Sequence, residues 1–198
     1  MAANSFGFSG FTPLRHMAGG VIRANAYQIL TSGTTGFNDN FYTGDMVLLN
    51  SDGTIEIGVA GSGATAIGIF AGCTYVASSD NTIKFAPNWP ASTAVITGTT
   101  ITAYVYDDPN ITYDVTSDAT TVVAQDMVGM NADHVVGTGS NFTGQSGSSL
   151  NVTSGTGSGT AQFRILGIRA LANNPVGFTN TKLEVKFNEH LFLTTTGV

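Results

Sequence analysis

Apolar and polar residues alternate through both halves of residues 101–115, ITAYVYDDPNITYDV, and a turn-forming sequence separates the two halves. The apolar and aromatic positions of one parity in each half are Ile101, Ala103, Val105, Ile111, Tyr113 and Val115. A period of two over runs of this length is typical of half-buried β-strands. Pro109 cannot donate to a strand ladder, and it disfavours helix at the preceding Asp108. We therefore predict a β-hairpin with Asp107-Asp108-Pro109-Asn110 as its turn.

The adjacent carboxylates of Asp107 and Asp108 have two interpretations. Paired carboxylates occur in acid/base and metal sites, but Asp side chains also hydrogen-bond their own backbone in turns. A calcium site would need further oxygen ligands. Asp114 and Asp118 could supply some of them, although the spacing is not that of an EF-hand. We predict that Asp107 and Asp108 cap the hairpin, and the alternative is a weak calcium site.

The composition favours strands throughout the chain. Only 10% of the 198 residues are charged, against about 25% in a typical soluble domain. Thr is abundant and favours strands, whereas the 25 glycines and the many asparagines favour turns. Hydrophobic residues make up 42% of the chain, which is enough for a sizeable core. We predict an all-β protein.

The charge pattern excludes several classes of partner. The formal net charge is −6, and the seven Lys and Arg residues are scattered along the chain. Without a basic face to neutralise phosphates, nucleic-acid binding is not expected. No apolar run approaches the roughly 18 residues of a membrane-spanning helix, and the first residues lack the basic and apolar regions of a signal peptide.

Other segments carry local signals of the same kind. Ser51-Asp52-Gly53 is a turn between two apolar strands, with Gly53 supplying a positive φ. Gly68 and Gly72 interrupt a long apolar run, as glycines do at a bulge or at a sharp bend of a barrel. AQDMVGMNADHVV, from Ala124, is the best candidate for a helical turn or short helix. Residues 182–187, KLEVKF, alternate as a closing strand.

We divide the chain into an extended N-terminal arm, residues 1–20, and a single β-rich domain, residues 21–198. The arm is rich in Gly and Ser and carries spaced phenylalanines, which need either the protein's own core or a partner to bury them. Residues 137–160 are almost wholly Gly, Ser, Thr and Asn. Because Phe142, Leu150 and Val152 lie among them, we expect a long ordered loop or weak strands over the surface.

No sequence pattern identifies a catalytic, cofactor or metal residue. His16, His134 and His190 do not form a close metal pair, and we expect them to be surface or satisfied residues. The single Cys73 lies in an apolar run and is predicted to be buried. No G-x-S-x-G or phosphate-binding loop is present. The tyrosines Tyr104, Tyr106 and Tyr113 form either a sugar-binding platform or cross-strand packing, of which packing is the simpler interpretation.

A set of motifs resembles a known family over nearly the whole chain. The motifs are GFSGFTPLRHMAGG, GDMVLLNSDGTIEI, IGIFAGCTYV, NWPA, ITAYVYDDPNITYDV, VGMNADHVVGTGS and KLEVKFNEHLF. Together they are similar to capsid decoration (cement) proteins of tailed phages that infect cyanobacteria and other marine bacteria. The resemblance implies a compact β-barrel or β-tulip body with arms, often trimeric, on the outside of an HK97-type head.

From this resemblance we expect a non-enzymatic virion protein without cofactor, which is assembled in the host cytoplasm and bridges neighbouring major capsid protein subunits. Phe6, Phe8, Phe11 and Arg15 are the first candidates for capsid contacts, and residues 137–160 are the second. The alternative is a head-fibre or tail-associated receptor-binding module that recognises glycans. A metal-dependent β-barrel enzyme is a third hypothesis.

Overall fold

The structure is a computed structural model that describes residues 7, 9–32, 35–61, 65–153, 159 and 161–194. Strands make up 45% of the chain and helix only 3%, which confirms the predicted all-β class. The strands are β1 (Thr12–His16), β2 (Asn25–Ile29), β3 (Thr31–Ser32), β4 (Thr35–Gly36), β5 (Phe41–Tyr42), β6 (Met46–Leu49), β7 (Thr54–Ile57), β8 (Ala66–Val76), β9 (Ile83–Ala86), β10 (Asn88–Trp89), β11 (Ile101–Tyr106), β12 (Ile111–Thr116), β13 (Asn131–Val135), β14 (Ser149–Asn151), β15 (Phe163–Ile168) and β16 (Lys182–Phe187). Short 3₁₀ turns lie at Gln125–Met127 and Leu191–Leu193.

Five strands close into a barrel in the order β11-β2-β7-β6-β8, because β8 pairs back onto β11. β2 and β7 are parallel, and the other neighbours are antiparallel. The expected compact barrel body is therefore confirmed. Its interior, here called the barrel core, consists of Ile29, Phe41, Val47, Ile55, Ile67, Phe70, Cys73, Trp89, Val95, Ile101, Ala103 and Val105.

The long strand β8 bends at its two glycines, as the sequence predicted. Opposite β6 the register shifts between Gly68 and Ala66, and opposite β11 it shifts between Gly72 and Phe70. Each shift inserts one extra residue, which increases the local twist and turns the strand around the barrel. The backbone of Gly68 lies so close to the carbonyl of Tyr106 that a Cβ would overlap it.

A second sheet packs against the outside of the barrel, with strand order β1-β12-β16-β15-β13-β14. Its inner face forms the sheet core, which is rich in aromatic rings: Phe163 stacks on Phe187 with centroids 4.7 Å apart, and Tyr113 meets Phe187 edge-on at 5.5 Å. Met46 and Ile69 reach into the same cluster from the barrel strands. Burying each such side chain contributes roughly 1.5–3 kcal/mol, so this shared cluster attaches the sheet to the barrel.

The predicted boundary between the N-terminal arm and the body is wrong for residues 11–16. Residues 12–16 form β1, which pairs with β12 at the edge of the second sheet. Phe11 is 1% exposed and stacks on Phe163, with centroids 4.4 Å apart. Residues 11–16 are therefore part of the body and not of an extended arm, because the sheet core offers Phe11 the apolar surface that it needs. Phe6 and Phe8 lie outside the described residues.

The predictions for the segment after Ala124 and for residues 137–160 are each correct only in part. The segment after Ala124 forms only the 3₁₀ turn Gln125–Met127, and its remainder becomes β13. Within the glycine-rich stretch, β14 confirms the expected weak strand, but Ser146, Leu150 and Val152 are fully buried, so residues 146–152 do not run over the surface. Residues 154–158 and 160 lie outside the described part of the chain. Among the described residues, no helix is long and apolar enough to span a membrane.

Candidate functional site

Strand β9 presents apolar side chains to solvent. It pairs with β8 on one side, and its alternation places Ile83 and Phe85 outward, 63% and 79% exposed. The intervening Lys84 lies 2.5 Å from the Asp80 carboxylate, so the positive charge on this strand is balanced locally. An exposed apolar side chain is common on its own, but a contiguous group of them marks an interaction site.

A neighbouring turn presents Phe142, which is 98% exposed. The turn is closed by two backbone hydrogen bonds, from Ser140 N to Gln145 O at 2.9 Å and from Gly144 N to Ser140 O at 2.7 Å. The Tyr42 hydroxyl donates to Asn141 Oδ1 at 2.8 Å. Phe142 therefore projects from a turn whose backbone is held on both sides, which is the geometry of a preorganised anchor.

The turn and the end of β9 meet at Pro87. Thr43 N donates both to Gly144 O at 2.9 Å and to Pro87 O at 3.1 Å, and Pro87 directly follows the last residue of β9. Residues 136–160 contain no Asp, Glu, Lys, Arg or His. Ile83, Phe85 and Phe142, here called the apolar edge, are thus exposed apolar side chains on the two segments that meet at Pro87. Phe142 lies within residues 137–160, the second candidate for capsid contacts, whereas no sequence pattern singled out Ile83 and Phe85.

The Asp107–Asp108 turn borders a cavity of about 230 Å³. The lining residues, here called the Asp107 pocket, are Val21, Arg23, Asn25, Asp107, Asp108, Pro109 and Phe192. Asp107 is buried and accepts hydrogen bonds from Asn25 Nδ2 at 2.9 and 3.0 Å and from the Tyr27 hydroxyl at 2.7 Å. Burial and this carboxylate together raise the pKa of Tyr27.

Asp108 caps the hairpin, as predicted, whereas the same prediction is wrong for Asp107, because its carboxylate accepts from Asn25 and Tyr27 of β2 and not from the turn. Its Oδ1 accepts from the backbone N–H of Asn110 at 2.8 Å and from Asn110 Nδ2 at 3.0 Å. Its Oδ2 lies 2.9 Å from His16 Nε2. His16 Nδ1 accepts from the N–H groups of Ala18 and Gly20, so the proton of the neutral ring lies on Nε2 and is donated to Asp108. Burial alone would raise the pKa of Asp108, but these hydrogen bonds outweigh burial and lower the pKa.

Of the four predicted capsid-contact residues, the structure describes Phe11 and Arg15. Phe11 lies in the sheet core, and Phe6 and Phe8 are outside the described residues. Arg15 is on the surface of the second sheet, where its Nε donates to Glu184 Oε1 at 2.7 Å. Phe11 and Arg15 therefore do not share an exposed surface.

Tyr104, Tyr106 and Tyr113 do not form a sugar-binding platform, which was the alternative to cross-strand packing. Tyr113 is fully buried and donates its hydroxyl to Tyr106 O at 3.2 Å. Tyr104 accepts from the Thr74 hydroxyl at 3.3 Å on the barrel. The packing interpretation is therefore the correct one for Tyr113. Cys73 is buried as predicted, and burial raises the pKa of its thiol to about 12.

Three buried polar groups were not anticipated. Asp45 accepts from Ser146 Oγ at 2.5 Å, Ser148 Oγ at 3.1 Å and Tyr42 N at 2.8 Å, which fastens the glycine-rich segment to the barrel. Burial raises the pKa of Asp45, and these hydrogen bonds offset part of the effect. His134 and His190 are also buried, and burial lowers the pKa of each to about 4.

The described residues contain no group of three or more His, Cys, Asp or Glu side chains placed to hold a metal ion. Comparisons with protein-family models, with curated proteins and with solved structures found no match.

Proposed function

We propose that this protein is a non-enzymatic capsid decoration protein of a tailed phage, which binds the outer surface of the head and bridges neighbouring major capsid protein subunits. The observation that carries the proposal is the apolar edge, on which Ile83, Phe85 and Phe142 are exposed from backbone that is already ordered. The family resemblance supplies the identity of the partner and favours a trimer.

The apolar edge suits binding to a protein surface because little order has to be gained on contact. Immobilising flexible segments costs free energy that reduces affinity. Here β9 is paired with β8, and the Phe142 turn is closed by its own hydrogen bonds, so most of that cost is met on folding. Aromatic side chains that fill pockets on a partner carry much of the energy of an interface.

The acidic character of the chain supports a position outside the head. A net charge of −6 opposes contact with packaged DNA. On the apolar edge the charge of Lys84 is balanced by Asp80, so the edge can approach a protein partner at little electrostatic cost. Many copies bound across a lattice, each bridging two subunits, would multiply a moderate affinity into a stable shell.

The direct test is binding to capsids that lack this protein, measured by co-sedimentation of the purified wild-type chain. We expect Phe85→Ser and Phe142→Ser each to weaken binding by roughly thirtyfold, which corresponds to a loss of about 2 kcal/mol per anchor. Val122→Ser is the control, because Val122 is also an exposed apolar side chain, 52% exposed, and is not part of the apolar edge. Unchanged binding by the Phe85 and Phe142 variants would remove the apolar edge from the proposal.

The N-terminal contacts are tested separately in the same assay. Deleting residues 2–8 removes Phe6 and Phe8 but keeps Phe11 in the sheet core, and Arg15→Gln removes the surface guanidinium. Loss of binding by these variants alone would place the contact at the N-terminus. Absence of binding by the wild type would reject a capsid partner.

A further inference from the structure

The Asp107 pocket has polar groups whose positions are set by the fold. Asp107 and Asp108 line one side of the 230 Å³ cavity, in the connection between β11 and β12. Each carboxylate accepts three hydrogen bonds from protein donors: Asp107 from Asn25 and Tyr27, and Asp108 from Asn110 and His16. An ionised carboxylate has about four acceptor positions, so each of the two retains about one for a ligand.

This pattern does not suit a metal ion. Calcium takes six to eight oxygen ligands and needs their lone pairs directed at the ion. Here most of the acceptor positions are occupied by N–H and O–H donors. The two carboxylates instead form a rigid pair of single acceptors, which suits hydroxyl groups that donate one proton each.

Arg23 adds donors to the same cavity. Its side chain lines the pocket and is exposed, and it forms no ion pair with the described residues, although Asp107 and Asp108 line the same space. A guanidinium carries five N–H donors in a fixed plane. The pocket is therefore lined by both donors and acceptors, with one positive and two negative charges.

The rim of the pocket is apolar. Phe192, 58% exposed, and Val21, 78% exposed, both line it. The Phe192 ring lies 5.5 Å from the ring of His190, which anchors the 3₁₀ turn Leu191–Leu193 by accepting from Phe192 N at 3.2 Å. An aromatic ring thus lines the pocket together with the polar groups.

We propose that the Asp107 pocket binds one ring of a neutral saccharide. A sugar ring carries hydroxyls that both donate and accept, for the carboxylates and Arg23, and a C–H face for Phe192. The cavity is smaller than the roughly 300–1,000 Å³ of pockets for drug-sized ligands, which suits a single ring. The excess negative charge opposes an anionic sugar. This site is separate from the apolar edge and does not depend on the capsid-binding proposal.

The test is NMR titration of the full-length protein with methyl glycosides of glucose, galactose and mannose, and with methyl glucuronide as the charged counterpart. We expect shift changes centred on Arg23, Asp108 and Phe192, and weaker binding of the glucuronide than of the neutral glycosides. Phe192→Ala and Arg23→Gln should each weaken binding at least fivefold. Phe142→Ala, a phenylalanine outside the pocket, should leave it unchanged.

Two outcomes would overturn the proposal: no shift changes with any neutral glycoside, or shift changes that survive in both pocket variants. Both variants alter exposed side chains, so a folded spectrum is expected for each and loss of binding can be assigned to the pocket. Capsid co-sedimentation of Phe192→Ala and Arg23→Gln should match the wild type, which keeps failure of this proposal distinct from failure of the proposed function.

Discussion

Single residues decide whether the barrel can close. At Gly68 the backbone of β8 passes so close to the Tyr106 carbonyl that any Cβ would overlap it. Gly167, in β15, has no heavy atom within 4 Å of a Cβ position. Both are strand glycines, but only the first is required by a close approach of two backbones.

We expect Gly68→Ala to lower the free energy of unfolding by about 2–3 kcal/mol, because the strand must move away from β11. Gly167→Ala is the matched control and should be within about 0.5 kcal/mol of the wild type. Urea denaturation of both variants measures the difference. Equal stability of the two variants would show that the bulge can relax without cost.

The buried histidines make stability depend on pH. Burial lowers the pKa of His134 and His190 to about 4 in the folded protein, below the roughly 6.5 of an unfolded chain. The unfolded state therefore binds protons first as the pH falls. Their contribution is fully present above about pH 6.5 and is lost progressively toward pH 4, by about 3 kcal/mol per histidine.

We expect His134→Leu to remove about half of this pH dependence, measured as the change in unfolding free energy between about pH 7 and pH 4.5. The raised pKa of Asp45 acts in the opposite direction, because the folded state then takes up a proton first, so the slopes of variant and wild type must be compared. An unchanged slope in the variant would assign the acid sensitivity to other groups.

At the scale of elements, β1 joins the N-terminal segment to the body. It adds to the free edge of β12, and Phe11, one residue before it, fills a space against Phe163 in the sheet core. His16, at its other end, donates to Asp108 in the β11–β12 turn. Both ends of the strand are therefore held by side chains from distant segments.

We expect Phe11→Ala to destabilise the protein by about 3–5 kcal/mol, as truncation of a buried phenylalanine does. Phe142→Ala makes the same chemical change at a side chain that is 98% exposed, and it should be nearly neutral. Thermal unfolding of the two variants separates them. A small effect at Phe11 would mean that the N-terminal segment docks only weakly and would restore it as an arm.

At the scale of the whole molecule, two hydrophobic cores share the strands β6 and β8. β8 directs Ile67 and Phe70 into the barrel core and Ala66 and Ile69 into the sheet core. Because each core loses a wall when β8 is disordered, we expect the barrel and the second sheet to unfold as one cooperative unit.

Trp89 is the only tryptophan of the chain and lies in the barrel core, so its fluorescence reports on that core alone. We expect Phe163→Ala, in the sheet core, to shift the Trp89 unfolding midpoint together with the far-UV circular dichroism midpoint. If the circular dichroism changed and the Trp89 midpoint did not, the barrel and the second sheet would be separate folding units.

Local signals in the sequence were sufficient for the strands and their turns. Alternation located β11, β12 and β16, the turn residues located the hairpins, and Gly68 and Gly72 marked the bends of β8. These features were predictable because they depend on the backbone preferences of neighbouring residues and on a short period of burial. The same locality explains why Cys73 could be placed in the interior.

The candidate sites were not predictable in this way. Arg23, Asp108 and Phe192 come from three separate parts of the chain and meet only in the folded protein. Ile83 and Phe85 alternate like core residues, and their exposure follows from the position of β9 beyond the closed barrel. No local sequence pattern indicates which strand will lie at the edge of a sheet.

By itself, the sequence determined the all-β class, the main hairpins, the capping role of Asp108 and the bends of β8. Only the tertiary structure decided that Phe11 is a core residue, that residues 146–152 run through the interior, and that His134 and His190 are buried. The physical reason is that alternation shows which side of a strand is apolar. The surface that this side meets depends on packing between segments far apart in the chain.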